Sequence, residues 1–289
     1  MATNTVRRSG VISHFQEHSS AYEKFAGKTS TRLAAAALSA LPLSTYGASS
    51  HFLDSACGPG IVTKLLLSPS PEYVDVPGLP INPRPRVTGI DILPSMVAQF
   101  TANISTYGWR TAEGFVQDSG DLSRFKDGEF DAVVMNLGIF SLQDPVAGAA
   151  EMYRVLKPGG YAAITTWKER RPAGLLQSVV VAIRPGSDEK PMYLDPAWET
   201  REKLEEVMKA GGFSVDIRES AVDWVNDSVE DMVEALSAPM WTAKIWQGWS
   251  AEETARWKDE IVRQLTEQEK ATVTLAMTGW ICVARKPQT

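Results

Sequence analysis

The sequence predicts an α/β fold, a doubly wound and mainly parallel sheet of seven strands with helices on both faces. Three observations predict it. Short apolar runs alternate with helical segments between residues 51 and 167, the β-α-β rhythm of a parallel sheet covered on both sides. A turn of small residues, Ser55-Ala56-Cys57-Gly58-Pro59-Gly60, separates the first strand from the first helix of that rhythm. An aspartate, Asp91, ends the second strand, where a nucleotide-binding sheet places its ribose acceptor.

Taken in order, residues 1–48 read as an N-terminal helical segment. Ser13 is placed to cap one helix, and an Ala/Leu-rich helix runs from Thr31 until Pro42 and Gly47 close it. The main domain, 49–289, opens with the strand His51-Phe52-Leu53-Asp54 and the helix Ile61–Leu67. Six prolines between Pro69 and Pro85 forbid helix or central strand and predict a surface loop inserted into the repeat. Strands follow at 86–91, 115–118, 130–136 and 161–167, with Pro94 starting a helix and Lys157-Pro158-Gly159-Gly160 ending another. Beyond residue 170 the pattern predicts a helix over 198–210, a strand over 213–218, helices from 228 and over 250–269, and a last strand over 272–284. The stretch at about 226–269 carries Trp241, Trp246, Trp249 and Trp257 and reads as a helical lid.

Composition narrows the function classes. With 29 Lys plus Arg against 35 Asp plus Glu the net charge is −6, which disfavours nucleic acid as a partner. No apolar run reaches the ~18–20 residues of a membrane span. The first twenty residues hold no secretory signal, and two cysteines suit a reducing compartment, so the expected location is the cytoplasm.

The glycine turn and Asp91 imply a nucleoside cofactor. Asp91 lies 37 positions after Asp54, and removing the seventeen residues of the Pro69–Pro85 loop leaves 20, close to the spacing of about 20 in nucleotide-binding units. A dinucleotide needs amides for its pyrophosphate, whereas S-adenosylmethionine has no phosphate and carries an ammonium. An acidic residue entering the loop, Asp54, repels the first and suits the second. The third glycine of a dinucleotide fingerprint is also missing, its place taken by Thr63. Tyr153 and Lys157 match a Tyr-x-x-x-Lys spacing, but Lys157 abuts Pro158 at a helix end and reads as accidental.

At this point the sequence resembles the class I S-adenosylmethionine-dependent methyltransferases. The resemblance rests on Leu53–Gly60, Gly89-Ile90-Asp91, Gln117-Asp118, Phe130-Asp131 and Arg154–Gly160, five weak motifs in the family's order. It departs at Ala56, where many members have glycine. The resemblance implies a Rossmann-like fold and S-adenosyl-L-methionine as cofactor. The layout is more narrowly similar to fungal small-molecule methyltransferases of the ubiquinone-biosynthesis type, such as those that methylate gliotoxin thiols. By this resemblance Asp54, Ala56 and Gly58 surround the methionyl part and Asp91 accepts from the ribose. Ile92 and Met96 flank the adenine, Asp118 and Ser119 accept from its amino group, and Asn136 and Leu137 border the methyl donor. Tyr22 and Thr29 close the site from the N-terminal side.

Phe140, Trp167, Met240, Trp241 and Trp246 are the candidate substrate wall, an aromatic surface suited to a hydrophobic small molecule. Methyl transfer needs alignment and exclusion of water more than a base, since a thiol acceptor of pKa ~8.5 ionises with little help. His14 is the candidate base for other acceptors. With His18 it forms a His-x-x-Glu-His pattern, but no zinc site is expected. Two functions follow from these residues: methyl transfer at S, O or N of a small molecule, or cofactor binding without methyl transfer, in a regulator or rearrangement catalyst. A nicotinamide dehydrogenase is the third and is opposed by Asp54.

Overall fold

The computed structural model describes residues 28–288, apart from 48, 72, 73, 75, 77, 192 and 193. Seven strands form one sheet: β1 (His51–Ser55), β2 (Arg86–Asp91), β3 (Ala112–Val116), β4 (Phe130–Asn136), β5 (Leu156–Arg170), β6 (Ser214–Ala221) and β9 (Met277–Arg285). Their order is β3-β2-β1-β4-β5-β9-β6. β3, β2, β1, β4 and β5 run parallel, while β9 is antiparallel to both β5 and β6. The central strands β1 and β4 are apolar on both faces because helices cover both. A short pair, β7 (Trp224–Val225) with β8 (Thr274–Leu275), lies outside this sheet.

One face is covered by α1 (28–40), α2 (Ile61–Leu67) and α5 (Arg171–Ile183), the other by α4 (Pro145–Val155) and α6 (Arg201–Ala210). α1 buries Leu33, Ala34, Ala37 and Leu38, a helical spacing that presents one apolar stripe. It lies so close to β9 that a Cβ at Gly279 would sit 2.5 Å from Leu33. α3 (Pro94–Tyr107) begins on Pro94 and ends at Gly108. Its Phe100 is wholly buried in a slot left by Gly60, Gly89 and Gly114, where an added Cβ would meet the ring at 2.8, 2.5 and 2.7 Å. These glycines let α3 sit against β2 and β3, and so bring Met96 to the strand ends.

Several element bounds differ from the sequence expectations. The third strand is 112–116 rather than 115–118, because it takes its register from β2, with Asp91 opposite Val116. The fifth begins at Leu156, which pairs with Phe130 of β4, and runs to Arg170, extended at that end by antiparallel pairing to β9. The expected helix over 250–269 is three pieces: α9 (Ala251–Ala255), α10 (Trp257–Gln264) and α11 (Glu267–Thr272). Ser250 and Thr266 each form a capping box and restart the chain there. The expected last strand, 272–284, is divided into β8 and β9. The proline-rich loop has no helix or strand among its described residues, as its composition requires, but it is not purely superficial. Val74, Val76 and Ile81 are buried against the core, and Ile81 N donates to the Leu66 carbonyl.

The stretch expected to form a lid, about 226–269, holds α7 (Val229–Leu236), capped by Ser228, and α8 (Pro239–Thr242), followed by α9 and α10. Trp257 is wholly buried, with Trp246 and Trp249 edge-on to it at centroid distances of 5.8 and 5.7 Å. Among the described residues, no helix is long and apolar enough to cross a membrane.

Candidate cofactor site

The strand ends of β1, β2 and β4 open into a cleft lined by the turns that follow them. It lies at the carboxyl ends of the parallel strands, where the order reverses between β1 and β4 and the connections diverge. Ten of the expected cofactor residues line it together: Asp54, Ala56, Gly58, Asp91, Ile92, Met96, Asp118, Ser119, Asn136 and Leu137. Phe140, from the expected substrate wall, lines it as well.

Asp91 is held by two backbone amides. Its Oδ2 accepts from Gly58 N–H and its Oδ1 from Leu93 N–H, both at 2.9 Å. The carboxylate thus aims the glycine turn at the end of β2. Each oxygen has a second lone pair, so the group retains acceptor capacity for a diol. Burial raises its pKa, opposed by the amides of Leu93, Gly58 and Ile92.

Asp54 has a partner in Thr63. Its Oδ2 accepts from Thr63 N–H at 3.1 Å and from Thr63 Oγ1 at 2.7 Å. Thr63 is the third residue of α2, so Asp54 takes an amide of the helix N-terminus that a pyrophosphate would need. A dinucleotide is disfavoured by this occupancy as well as by charge. Only 2% of Asp54 is exposed, and burial lifts its pKa to about 7, with Asp91 adding to the rise and Thr63 opposing it.

The turn is tighter than expected at Ala56, which has φ 55°, as Leu137 has φ 60°. Both are left-handed conformations that cost a side-chain residue energy and cluster at functional sites. The small Ala56 is therefore tolerated with strain rather than freely permitted. The two loops meet through Gly138, where a Cβ would lie 2.8 Å from the Ala56 Cβ. Ser55 Oγ donates to Ser119 Oγ at 2.9 Å, and Asp118 Oδ1 accepts from Gly120 N–H, which shapes the loop after β3. Ile92 is 37% exposed at the cleft, an apolar edge suited to a flat ring.

Other expectations are corrected. Trp167, Met240, Trp241 and Trp246 do not line the cleft. Met240 is buried, and the three tryptophans pack against the core that α1, α5, α7 and α10 share, because these helices need large rings to fill the space between them. Thr29 is buried on α1 and also does not line the cleft, whereas its neighbour Ser30 accepts from Asn136 Nδ2 at 3.2 Å. His14, His18 and Tyr22 lie outside the described residues.

His51 is structural. It starts β1 at the end of the strand away from the cleft, with Nε2 2.9 Å from Thr88 Oγ1 and its ring on Phe130, and burial followed by Arg86 lowers its pKa. Lys157 donates to both Asp131 oxygens at 2.8 Å and is no part of the cleft. Burial pushes the Cys57 thiol well up and the Cys282 thiol to about 12, which leaves neither as a thiolate nucleophile. Thr63, Gly138, Ser141 and Leu142 are further residues of the site that the motifs do not mark. Thr63 was legible in principle as a hydroxyl on the first turn after Asp54, while Ser141 and Leu142 carry no local signal.

Residues 53–164 match the family model for a methyltransferase domain. That stretch carries a methyltransferase domain. Among curated proteins, the chain is 32% identical over 111 residues to a demethylmenaquinone methyltransferase of Streptomyces avermitilis, covering 33% of this chain and 48% of that protein. It is 26% identical over 170 residues to the methyltransferase tpcH of Aspergillus fumigatus, covering 56% of each. The chain thus spans about half the length of these relatives. A solved N-methyltransferase of Haemonchus contortus, in complex with S-adenosylhomocysteine, shares the fold with a TM-score of 0.53 at 17% identity, covering 94% of this chain and 58% of that one.

The cleft fits the cofactor of this domain. Left-handed Gly58 and Gly60 keep Cβ atoms out of the turn, Asp91 supplies diol acceptors, and Ile92 and Met96 supply an apolar wall.

Proposed function

We propose that the protein transfers a methyl group from S-adenosylmethionine to sulfur, oxygen or nitrogen of a hydrophobic small molecule in secondary metabolism, in the cytoplasm. The observation that carries this reading is the cleft's pair of carboxylates. Asp91 is fixed by two amides with acceptor capacity left, and Asp54 occupies the helix terminus that a dinucleotide would use. In the bound state Asp91 would hold the ribose hydroxyls, Ile92 and Met96 the adenine, and Asp118 with Ser119 its amino group. Ala56, Gly58, Asn136 and Leu137 would border the methionyl part, close to the Asp54 charge.

The cofactor supplies an activated methyl group on a sulfonium. The chain's contribution is to hold the acceptor in line and keep water out. Phe140, Ser141 and Leu142 form the cleft edge beyond Leu137, and an apolar acceptor would rest on the ring of Phe140. The net charge of −6 supports a small molecule rather than a nucleic acid as acceptor.

Calorimetric titration with S-adenosylmethionine, S-adenosylhomocysteine and NAD in parallel tests the cofactor. Binding of the two sulfur nucleosides alone supports the reading, and binding of NAD alone overturns it. Accumulation of S-adenosylhomocysteine with thiol, phenol and amine acceptors then tests transfer; turnover of an acceptor without it would indicate a rearrangement catalyst.

A further inference from the structure

We propose that Thr165 is the positioning residue of the cofactor cleft: its hydroxyl clamps Leu137 in the left-handed turn after β4 and ties that turn to α1 through Asn136. Thr165 is wholly buried on β5, paired in register with Asn136, and does not line the cleft. It acts through two residues that do.

The hydrogen bonds have only one consistent assignment. The Ser30 carbonyl of α1 can only accept, so the Asn136 side chain must present its NH₂ there, at 3.2 Å. The amide oxygen then faces Thr165, whose hydroxyl must donate to it, at 2.8 Å. That leaves the hydroxyl's lone pairs to accept from Leu137 N–H, at 2.9 Å. One hydroxyl thus serves a backbone amide and a side-chain amide at once, and replacing it orphans both inside the protein.

The clamp has work to do because Leu137 has φ 60°, a conformation a leucine does not hold by itself. On the far side the turn is blocked: a Cβ at Gly138 would meet the Ala56 Cβ and the Met135 Cγ at 2.8 Å. The Leu137 backbone is therefore pressed between the glycine turn and Thr165. This inference rests on the reading of the cleft as a cofactor site, and the adjacent Thr166 supplies its control. Thr166 is equally buried on the same strand, but its Oγ1 has no hydrogen-bond partner among the described residues.

The test is calorimetric titration of the full chain and three variants with S-adenosylhomocysteine, beside the melting temperature of each without ligand. Thr165→Val should weaken binding at least tenfold, Thr165→Ser should stay within threefold of the parent, and Thr166→Val within twofold. Should Thr165→Val not fold, Thr165→Ala removes the same hydroxyl and replaces it. Unchanged binding by the hydroxyl-free variant would overturn the proposal. So would a loss of the same size in Thr166→Val, a failure of Thr165→Ser to restore binding, or a failure of both hydroxyl-free variants to fold while Thr166→Val folds. If the parent protein itself does not bind the nucleoside, it is the cofactor reading that fails, before any variant is compared.

Discussion

Asp54→Asn should weaken cofactor binding while stabilising the fold at high pH, because one buried carboxyl enters both equilibria with opposite sign. In the folded chain its pKa is about 7, against an ordinary aspartate value of 3.8, chiefly through burial. The folded state therefore holds the proton more tightly than the unfolded chain. Protonation stabilises the fold fully below pH 3.8, and this contribution is lost as pH rises through 7, over a span worth on the order of 4 kcal/mol for a shift of about three units. A cofactor ammonium calls for the ionised form instead. The ionised fraction is about one tenth at pH 6 and one half at pH 7, so affinity should rise about fivefold across that interval, below the range where an α-amino group of pKa ~7.7–8.0 loses its proton. The assay is titration with S-adenosylmethionine at pH 6 and pH 7, with urea unfolding at pH 5 and pH 8 on the same samples. The parent should show the fivefold rise, and Asp54→Asn should lose it while gaining stability at pH 8. The asparagine oxygen can still accept from Thr63, so the α2 terminus stays capped. An affinity in the parent that is flat or falling with pH, or an Asp54→Asn variant less stable than the parent at pH 8, would refute the reasoning.

Three other variants probe separate parts of the site. Asp91→Ala removes the acceptor of two backbone amides and of the proposed ribose contacts, and should weaken S-adenosylhomocysteine binding about a hundredfold or more, by calorimetry. Retained micromolar affinity would count against the ribose assignment. Phe140→Ala should raise the KM for an acceptor severalfold while leaving cofactor affinity within about twofold, as initial-rate kinetics would show. Trp257→Ala should destabilise by about 3–5 kcal/mol in urea unfolding, because the ring is wholly buried against Trp246 and Trp249. Loss of binding by an otherwise folded Trp257→Ala would return the tryptophans to the site.

The sheet and the clustering of the glycine turn with Asp91 in one cleft were legible in the sequence because both are local. Strand β4 was read at its observed bounds, 130–136, since apolar runs bounded by turn residues report burial directly. Asp54, Gly58 and Asp91 were found because a glycine turn after one strand and a carboxylate ending the next are set by sequence spacing within one β-α-β unit. Only the tertiary structure decided where these tryptophans pack, since Trp241 and Trp246 look alike in sequence whether they fill a core or line a pocket. It also decided the register that shortened β3, the partner of Asp54, and the strain at Ala56 and Leu137. Thr165 is the clearest case. Nothing near it in the chain distinguishes it from Thr166, and its role follows from β5 pairing with β4, which sets its hydroxyl beside Asn136 and Leu137, about 28 residues earlier. Local sequence determines which backbone is strand or turn; which side chains meet is determined by packing between segments distant in the chain.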